Sequence, residues 1–393
     1  MSSTRHETIK SNNLREFGKY QTDSLFLLIG TNPLPNYVAF RLLAKPECHI
    51  YFVHTEETGK IANRLVDAMG LPSDKWTKIL VKDSDANDIF TKIHSHAKDK
   101  NGLGLNYTGG TKSMAVHSYR AILDVDPDAI FSYLDARRLE LTIDRVEASS
   151  IRLPVGLSVR LSMEALLTLH GRTPDKLNKD PFQPDVCREL VAVPHTELRK
   201  WCNDNLRSGT HLKKKQDPKT ELPPFENLSK YWDGCETLGE LAVQWGKKIG
   251  SLARWFDGKW LEHYTLCAVQ QVAQECGVHD AVWNLEPEKN KFDLDVAVLR
   301  GYQLFAISCT TVSNKGLIKQ KLFEAYIRAH QLGGDEARVG IVCFAPSDNP
   351  ESNPARIKQE IEEEWDANGK FRVYGVEDLP NIPAHLKEWF NSQ

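Results

Sequence analysis

The sequence predicts an α/β protein made of two such units in succession. Three observations carry this expectation. Apolar runs of strand length alternate with helical stretches from Ser24 to Ile143. The alternation stops at about residue 151, and it resumes near Thr237.

The elements follow in order. Residues 1 to about 22 read as a polar arm. Ser24 to Gly30 is a continuous apolar run, as expected of a strand buried on both faces. Thr31-Asn-Pro-Leu-Pro-Asn36 is a turn, and a helix follows from Tyr37 to Leu43. His49–Val53, Lys78–Val81 and Leu103–Tyr107 are further strands, with helices over about Glu57–Gly70, Ala86–Lys98 and Lys112–Leu123. Ala129–Leu134 and Leu139–Ile143 close the unit as strands. Alternation of this kind implies a parallel sheet wrapped on both sides, with ligands bound outside the carboxyl ends of its strands.

Past residue 151 come helices at Ser158–His170 and Asp185–Leu206, then clusters of proline and charge that include His211-Leu-Lys-Lys-Lys-Gln-Asp-Pro-Lys219. The lysine run could touch phosphate, although such runs are more often solvated loops. The second unit starts with helices at Leu238–Phe256 and Trp260–Cys276. Strands at Asp293–Leu299 and Leu304–Thr310 are joined by a tight turn at Arg300-Gly301-Tyr302. A helix at Leu317–Leu332, a strand at Val339–Phe344 and a helix at Ala355–Glu364 complete the pattern. The expected division is 1–150, a helical connector at 151–235, and 236–393.

The bulk numbers exclude several classes. At 393 residues the chain has room for two or three cores. Its 41% hydrophobic and 26% charged residues are ordinary for a soluble globular protein. A formal net charge of −3 confines any nucleic-acid surface to a local patch. No apolar run approaches the roughly 20 residues of a membrane helix, and the first twenty residues lack a signal core. Eight cysteines show neither Cys-x-x-Cys pairs nor metal-ligand spacing, so a reduced, cytoplasmic protein is expected.

The most informative segment is Leu103-Gly-Leu-Asn-Tyr-Thr-Gly-Gly-Thr-Lys-Ser-Met114, which reads strand, turn, helix. Gly109 and Gly110 let the backbone turn sharply and approach a ligand closely. The unpaired amides at the helix start suit an anion, and Thr108, Thr111 and Lys112 add two hydroxyls and a cation. The spacing is not that of a phosphate-binding Walker loop.

Together with Gly30-Thr31-Asn32-Pro33-Leu34-Pro35-Asn36, Val53-His54-Thr55-Glu56 and Tyr133-Leu134-Asp135, this segment resembles a CARF domain over roughly residues 23–145. CARF domains are the Rossmann-like sensors of type III CRISPR defence, which bind cyclic oligoadenylate across a homodimer. The resemblance implies that Thr31 and Asn32 face cyclic tetra- or hexa-adenylate from the first turn. It implies too that Thr108, Gly109, Gly110, Thr111 and Lys112 cradle its phosphates, with Thr55 and Glu56 as weaker candidates. Asn32 serves equally well as a turn-forming residue before Pro33.

The second unit carries another resemblance. Trp260-Leu261-Glu262, Phe292-Asp293-Leu294-Asp295-Val296 and Leu304-Phe-Ala-Ile-Ser-Cys-Thr-Thr311 are similar to the PD-(D/E)XK nuclease fold found fused to CARF sensors. In that family a helix Glu, a strand Asp and a strand Glu-x-Lys bind Mg2+ or Mn2+, which activates water and stabilises charge on phosphorus. Glu262 and Asp295 match the first two positions. Asp293 and Asp295, two apart on a strand, share a face.

Ser308-Cys309-Thr310 stands where Glu-x-Lys is expected. Ser308 and Thr310 keep the strand face but cannot replace a carboxylate on a hard cation or an ammonium beside a phosphate. Some restriction enzymes of this fold carry Ser at the strand position and move the acid to the following helix, keeping the strand Lys. In this chain the lysine would have to migrate as well, to Lys321, with Glu324 as the third metal ligand beside Glu262 and Asp295. The competing reading of Lys321 and Glu324 is a surface ion pair.

The resemblance therefore implies a homodimeric effector, activated by cyclic oligoadenylate, that cuts single-stranded DNA or RNA, with duplex DNA a further candidate. The alternative is a signalling module with an inert nuclease-like domain. Slow cleavage of the cyclic ligand by the sensor itself is a third reading.

Overall fold

The computed structural model describes residues 16–145, 148–174, 176–288, 292–365 and 369–392, so most of the expected polar arm lies outside the described residues. Two compact units result. One comprises residues up to Pro174 together with Leu299–Leu304 and His330–Glu336. The other comprises the rest.

The first unit holds a seven-stranded sheet in the order β3-β2-β1-β4-β5-β6-β7. Its strands are β1 (Thr22–Leu28), β2 (Ala44–His54), β3 (Trp76–Leu80), β4 (Leu103–Asn106), β5 (Ile130–Asp135), β6 (Glu140–Arg145) and β7 (Ala148–Pro154). Helices α1 (Leu34–Leu43), α2 (Gly59–Met69), α3 (Ala86–Ala97) and α4 (Lys112–Val125) connect the parallel strands, and α5 (Met163–Leu169) follows β7. β1 to β5 pair in parallel, and β6 and β7 add antiparallel strands at the edge. The sheet is therefore mixed where a parallel one was expected, and β7 was not foreseen. Connections as short as those between β5, β6 and β7 permit only antiparallel pairing. Every residue of β1 from Ser24 to Leu28 is buried, as the continuous apolar run requires.

Local chemistry sets the helix starts. Asp85 caps α3 by accepting from the backbone N–H groups of Asn87 and Asp88, and Thr111 caps α4 by accepting from that of Met114. Gly70 (φ +62°) ends α2 in the left-handed region that glycine tolerates.

The second unit opens with α6 (Pro184–Ala192) and α7 (His195–Asn205), then the hairpin β8 (Arg207–Ser208) and β9 (His211–Leu212), α8 (Glu226–Ser229), α9 (Leu238–Gln244), α10 (Ile249–Arg254) and α11 (Trp260–Cys276). Its sheet runs β10 (Val278–Glu288), β11 (Phe292–Arg300), β12 (Gln303–Thr310), β13 (Arg338–Cys343) and β14 (Phe371–Tyr374) in that order. α12 (Lys315–Gly333), α13 (Pro354–Trp365) and α14 (Ile382–Asn391) complete it.

Two helices expected to be continuous are divided. Pro194 separates α6 from α7, because the residue before a proline is pushed out of the helical region, and Val193 is extended (φ −75°, ψ 133°). The stretch from Leu238 to Phe256 breaks at Gly246 (φ +61°), and a π-turn over Trp255–Lys259, with Gly258 off helical geometry, leads into α11. β10, β14 and α14 were not foreseen, since β14 has only four residues and α14 begins on a proline-containing turn. Trp389 and Phe390 of α14 are core residues packed on Phe305, with ring centroids at 5.2 and 4.9 Å. Residues of α6 and α7 (Val186, Leu190, Leu198, Trp201) share one apolar cluster with α11 and the inner face of the sheet. No helix among the described residues is long and apolar enough to cross a membrane.

Candidate functional site

The sheet order brings the sensor candidates to one edge. β1 to β4 run in the same direction, so their carboxyl ends and the turns after them lie together, and the strand order reverses between β1 and β4. Open α/β sheets bind ligands at this switch point. Thr31-Asn32 follow β1, Thr55-Glu56 follow β2, and Thr108–Lys112 follow β4.

Glycine makes the two central turns fit. A Cβ on Gly109 would lie 2.2 Å from the Leu28 carbonyl oxygen and 3.0 Å from the Gly30 nitrogen. Gly110 has φ +73°. Asn36, fully buried, donates from Nδ2 to the Leu28 carbonyl at 2.9 Å and so braces the same strand end. Gly109→Ala therefore forces backbone apart at the switch point. We expect it to lower stability by about 1–3 kcal/mol, as overpacking does, measured by urea denaturation of the two proteins.

The hydroxyls are less free than the sequence implied. Thr108 Oγ1 accepts from the Leu134 N–H at 2.8 Å, tying the turn to β5. Thr111 Oγ1 caps α4 and donates to the Asp83 carbonyl at 3.2 Å. Thr55 and Thr58 bond each other's backbone N–H groups across the turn into α2. Asn32 Oδ1 accepts from the Leu34 N–H at 3.0 Å, the turn-forming role. Thr31, Glu56 and Lys112 are exposed. No hydrogen bond or ion pair engages the Lys112 ammonium among the described residues. An anion at this edge would meet that ammonium, the backbone of the Gly109-Gly110 turn and the first amides of α4.

In the second unit, Asp293, Asp295, Ser308, Lys321, Glu324 and Arg328 line one cavity of about 260 Å3. The fold thus brings Lys321 and Glu324 of α12 to the strand face that carries Asp295 and Ser308. Asp295 Oδ2 accepts from Ser308 Oγ at 2.9 Å and from the Cys309 N–H at 2.7 Å. Thr310 is buried and is not part of the cavity lining. Lys321 is exposed and makes no ion pair or hydrogen bond among the described residues.

Glu262 lies in the first turn of α11, positioned by the π-turn before it. It is buried, and its Oε2 has no hydrogen-bond partner, although the Lys259 ammonium stands 3.7 Å away. Burial first, and the charge of Asp295 second, push its carboxyl up to about 8. A divalent cation would offset both effects, so Glu262 and Asp295 fit as two ligands of such an ion.

Glu324 does not join them as a third. Its side chain is 45% exposed, accepts from Gln320 Nε2 at 3.1 Å, and faces Arg328 at 3.8 Å. Among the described residues no group of three or more His, Cys, Asp or Glu side chains is placed to hold a metal ion. Arg328 and Asp293, which sequence reasoning did not pair, form the shorter of the two ion pairs that Arg328 makes in this cavity, at 2.6 Å. Neither their thirty-five-residue separation nor any motif announces it.

No protein-family model matches the chain, and no curated protein matches its sequence. Solved structures do match its fold. The chain is similar to protein VC1899 from Vibrio cholerae at 18% identity, with a TM-score of 0.68 over 94% of this chain and 98% of that one. It is similar to Can2 from Sulfobacillus thermosulfidooxidans, solved in complex with cyclic tetra-adenylate, at 16% identity, with a TM-score of 0.66 over 96% and 99%. A type III CRISPR defence DNA nuclease activated by cyclic oligoadenylate matches at 15% identity and a TM-score of 0.55, over 88% of this chain and 52% of that one. Across nearly its whole length, then, the chain has the fold of VC1899 and Can2: a Rossmann-like sheet followed by a second α/β unit.

Proposed function

We propose that this protein is a cytoplasmic, homodimeric effector that binds cyclic oligoadenylate at the β1–β4 edge and cuts nucleic acid in its second unit. The observation that carries the nuclease half is the shared cavity of Asp295, Ser308, Lys321 and Glu324. It supplies from α12 the cation that β12 lacks.

In this reading Mg2+ or Mn2+ would be held by Glu262 and Asp295, and when bound it would polarise the scissile phosphate. Lys321 places its ammonium beside the phosphate and stabilises the charge that develops there. Ser308 and the Cys309 N–H hold the Asp295 carboxylate in place. Glu324 lines the wall without serving as the third ligand assigned to it from the sequence. Single-stranded DNA or RNA is the substrate class. The Can2 complex supports cyclic tetra-adenylate as the activator to test first.

The test combines purified protein, cyclic tetra- and hexa-adenylate, Mn2+ and labelled single-stranded DNA, RNA and plasmid. Cutting that depends on both messenger and metal supports the reading. Intact substrates with messenger still bound favour an inert nuclease-like domain. The Asp295 oxygen saturated by two donors and the missing third carboxylate are the observations on that side.

Lys112→Ala tests the sensor half. Loss of one charge-assisted hydrogen bond costs about 1.5–3 kcal/mol, so binding of the cyclic messenger should weaken by about ten- to a hundredfold in calorimetry. Retention of full affinity would remove Lys112 from the site.

A further inference from the structure

The second unit holds another, larger cavity that the nuclease reading does not use. It measures about 680 Å3 and is lined by His195, Arg199, Lys200 and Arg207 on one side and by Thr311–Asn314, Leu317 and Phe344 on the other. Its cations are held in place by the fold. The Arg207 guanidinium donates to both oxygens of Asp257, at 2.6 and 2.8 Å. Arg199 donates to the same carboxylate at 3.4 Å and to Thr311 Oγ1 at 3.1 Å. Two guanidinium groups therefore share one carboxylate, which leaves an uncompensated positive charge at a partly buried position. Burial and the charge of Arg207 push Arg199 below its ordinary value, a strain that an anion would relieve. Lys200 is already paired with Asp204 at 2.6 Å and adds little.

The lysine run of the sequence follows the hairpin that pairs Arg207 with Leu212, and it is not a loose loop. Gln216 is buried and donates to the carbonyls of Leu206 and Lys213, both at 3.1 Å, which folds the run back onto the end of α7. The Lys213 ammonium donates to the Asn205 carbonyl at 2.7 Å. Lys214 and Lys215 are exposed and make no ion pair or hydrogen bond among the described residues.

Both cavities are lined in part by α12. Ser308 lines one and Thr311, just past the end of β12, the other; they are three residues or about 10 Å apart along the chain, and alternation along the strand turns them to opposite sides. Leu317 and Lys321 are four apart on α12, hence on one face and about 6 Å apart along the helix axis.

We propose that Arg199, Arg207, Lys214 and Lys215 form a phosphate-binding track that leads a single strand of nucleic acid along α12 to Asp295. The proposal rests on the nuclease reading for its endpoint. The chemistry selects a polyanion: fixed guanidinium groups suit phosphodiesters, and the exposed side chain of Leu317 gives a base apolar surface to lie on. A cavity of this volume holds a ligand the size of a nucleotide or two.

The test is binding, not cleavage. Fluorescence anisotropy of a fluorescein-labelled oligothymidylate is followed in EDTA over a series of salt concentrations, with and without cyclic tetra-adenylate. The full-length parent is compared with a Lys214→Gln/Lys215→Gln double variant, an Arg199→Gln variant and a Lys98→Gln control, thermal unfolding confirming that each is folded. The double variant should lower the slope of log affinity against log salt by about 1.4 and Arg199→Gln by about 0.7, the values for two and one phosphate contacts on a single strand. The loss should be the same for oligouridylate, because phosphate contacts carry no sequence information. Unchanged slopes in the variants, a parent that binds no oligonucleotide in either condition, or a duplex competitor that displaces the strand at equal concentration would each overturn the track. A parent that binds through these residues but never cuts would leave the track standing while the nuclease reading fails. A parent that cuts with variants that bind normally gives the reverse.

Discussion

Asp295→Ala should abolish messenger-triggered cleavage, lowering the rate on the order of a thousandfold or more, while leaving calorimetric binding of the cyclic messenger intact. Asp295 lines the proposed cavity, acts on Glu262 more strongly than Asp293 does, and is held by the Ser308 hydroxyl and the Cys309 N–H. Asp295→Ala also orphans the Cys309 N–H and Ser308 Oγ, at a stability cost of about 1–3 kcal/mol. Asp295→Asn separates the two effects, since its carbonyl oxygen can still accept both bonds while its charge is gone. It should fold like the parent and be as inactive as Asp295→Ala. Lys321→Ala should cost about a hundredfold in rate, with Lys321→Arg recovering part of it. Equal cleavage by the parent and Asp295→Asn would remove the site from the second unit altogether.

Glu262→Gln should stabilise the metal-free protein, by an amount that grows with pH. Burial and Asp295 raise the Glu262 carboxyl from 4.5 to about 8, so the folded state holds its proton through a range in which the unfolded chain has lost it. A raised acid favours folding less and less as pH climbs from about 4.5 to 8, and the penalty is complete above 8. Glutamine has no proton to lose and escapes it. In EDTA, urea unfolding should find parent and variant alike near pH 4.5 and separated by a few kcal/mol at pH 8.5, since holding a proton against each further pH unit is worth about 1.4 kcal/mol. Adding Mn2+ should reverse the order at pH 8.5, because a bound cation replaces the proton on the parent and finds no carboxylate at this position in the variant. A pH-independent difference between the two proteins would mean that Glu262 is neither as buried nor as coupled as described.

Much of the fold was legible in the sequence. Strands buried on both faces read as unbroken apolar runs, so β1, β4, β12 and β13 were recognisable. The Gly109-Gly110 turn carried its geometry in its residue types, whereas the structure revealed Thr111 as a helix cap. Less legible were elements whose burial comes from distant partners. β14 is four residues long, and α14 reveals its core role only through Trp389 and Phe390 against Phe305.

The candidate sites divide along the same line. Local pattern by itself determined the loops at the β1–β4 edge, because turn chemistry and strand periodicity act over a few residues, whereas Glu262 and Asp295 were placed in one site only by the resemblance to a nuclease fold. Only the tertiary structure decided how each side chain is used. It committed Thr108 and Thr111 to internal hydrogen bonds and left the Lys112 ammonium free of internal partners among the described residues. It brought Lys321 to Asp295, held Glu324 away as a ligand, and set Arg199 and Arg207 on one shared carboxylate. The physical reason is that electrostatics depends on distance through the fold and on burial, and no spacing along the chain encodes either.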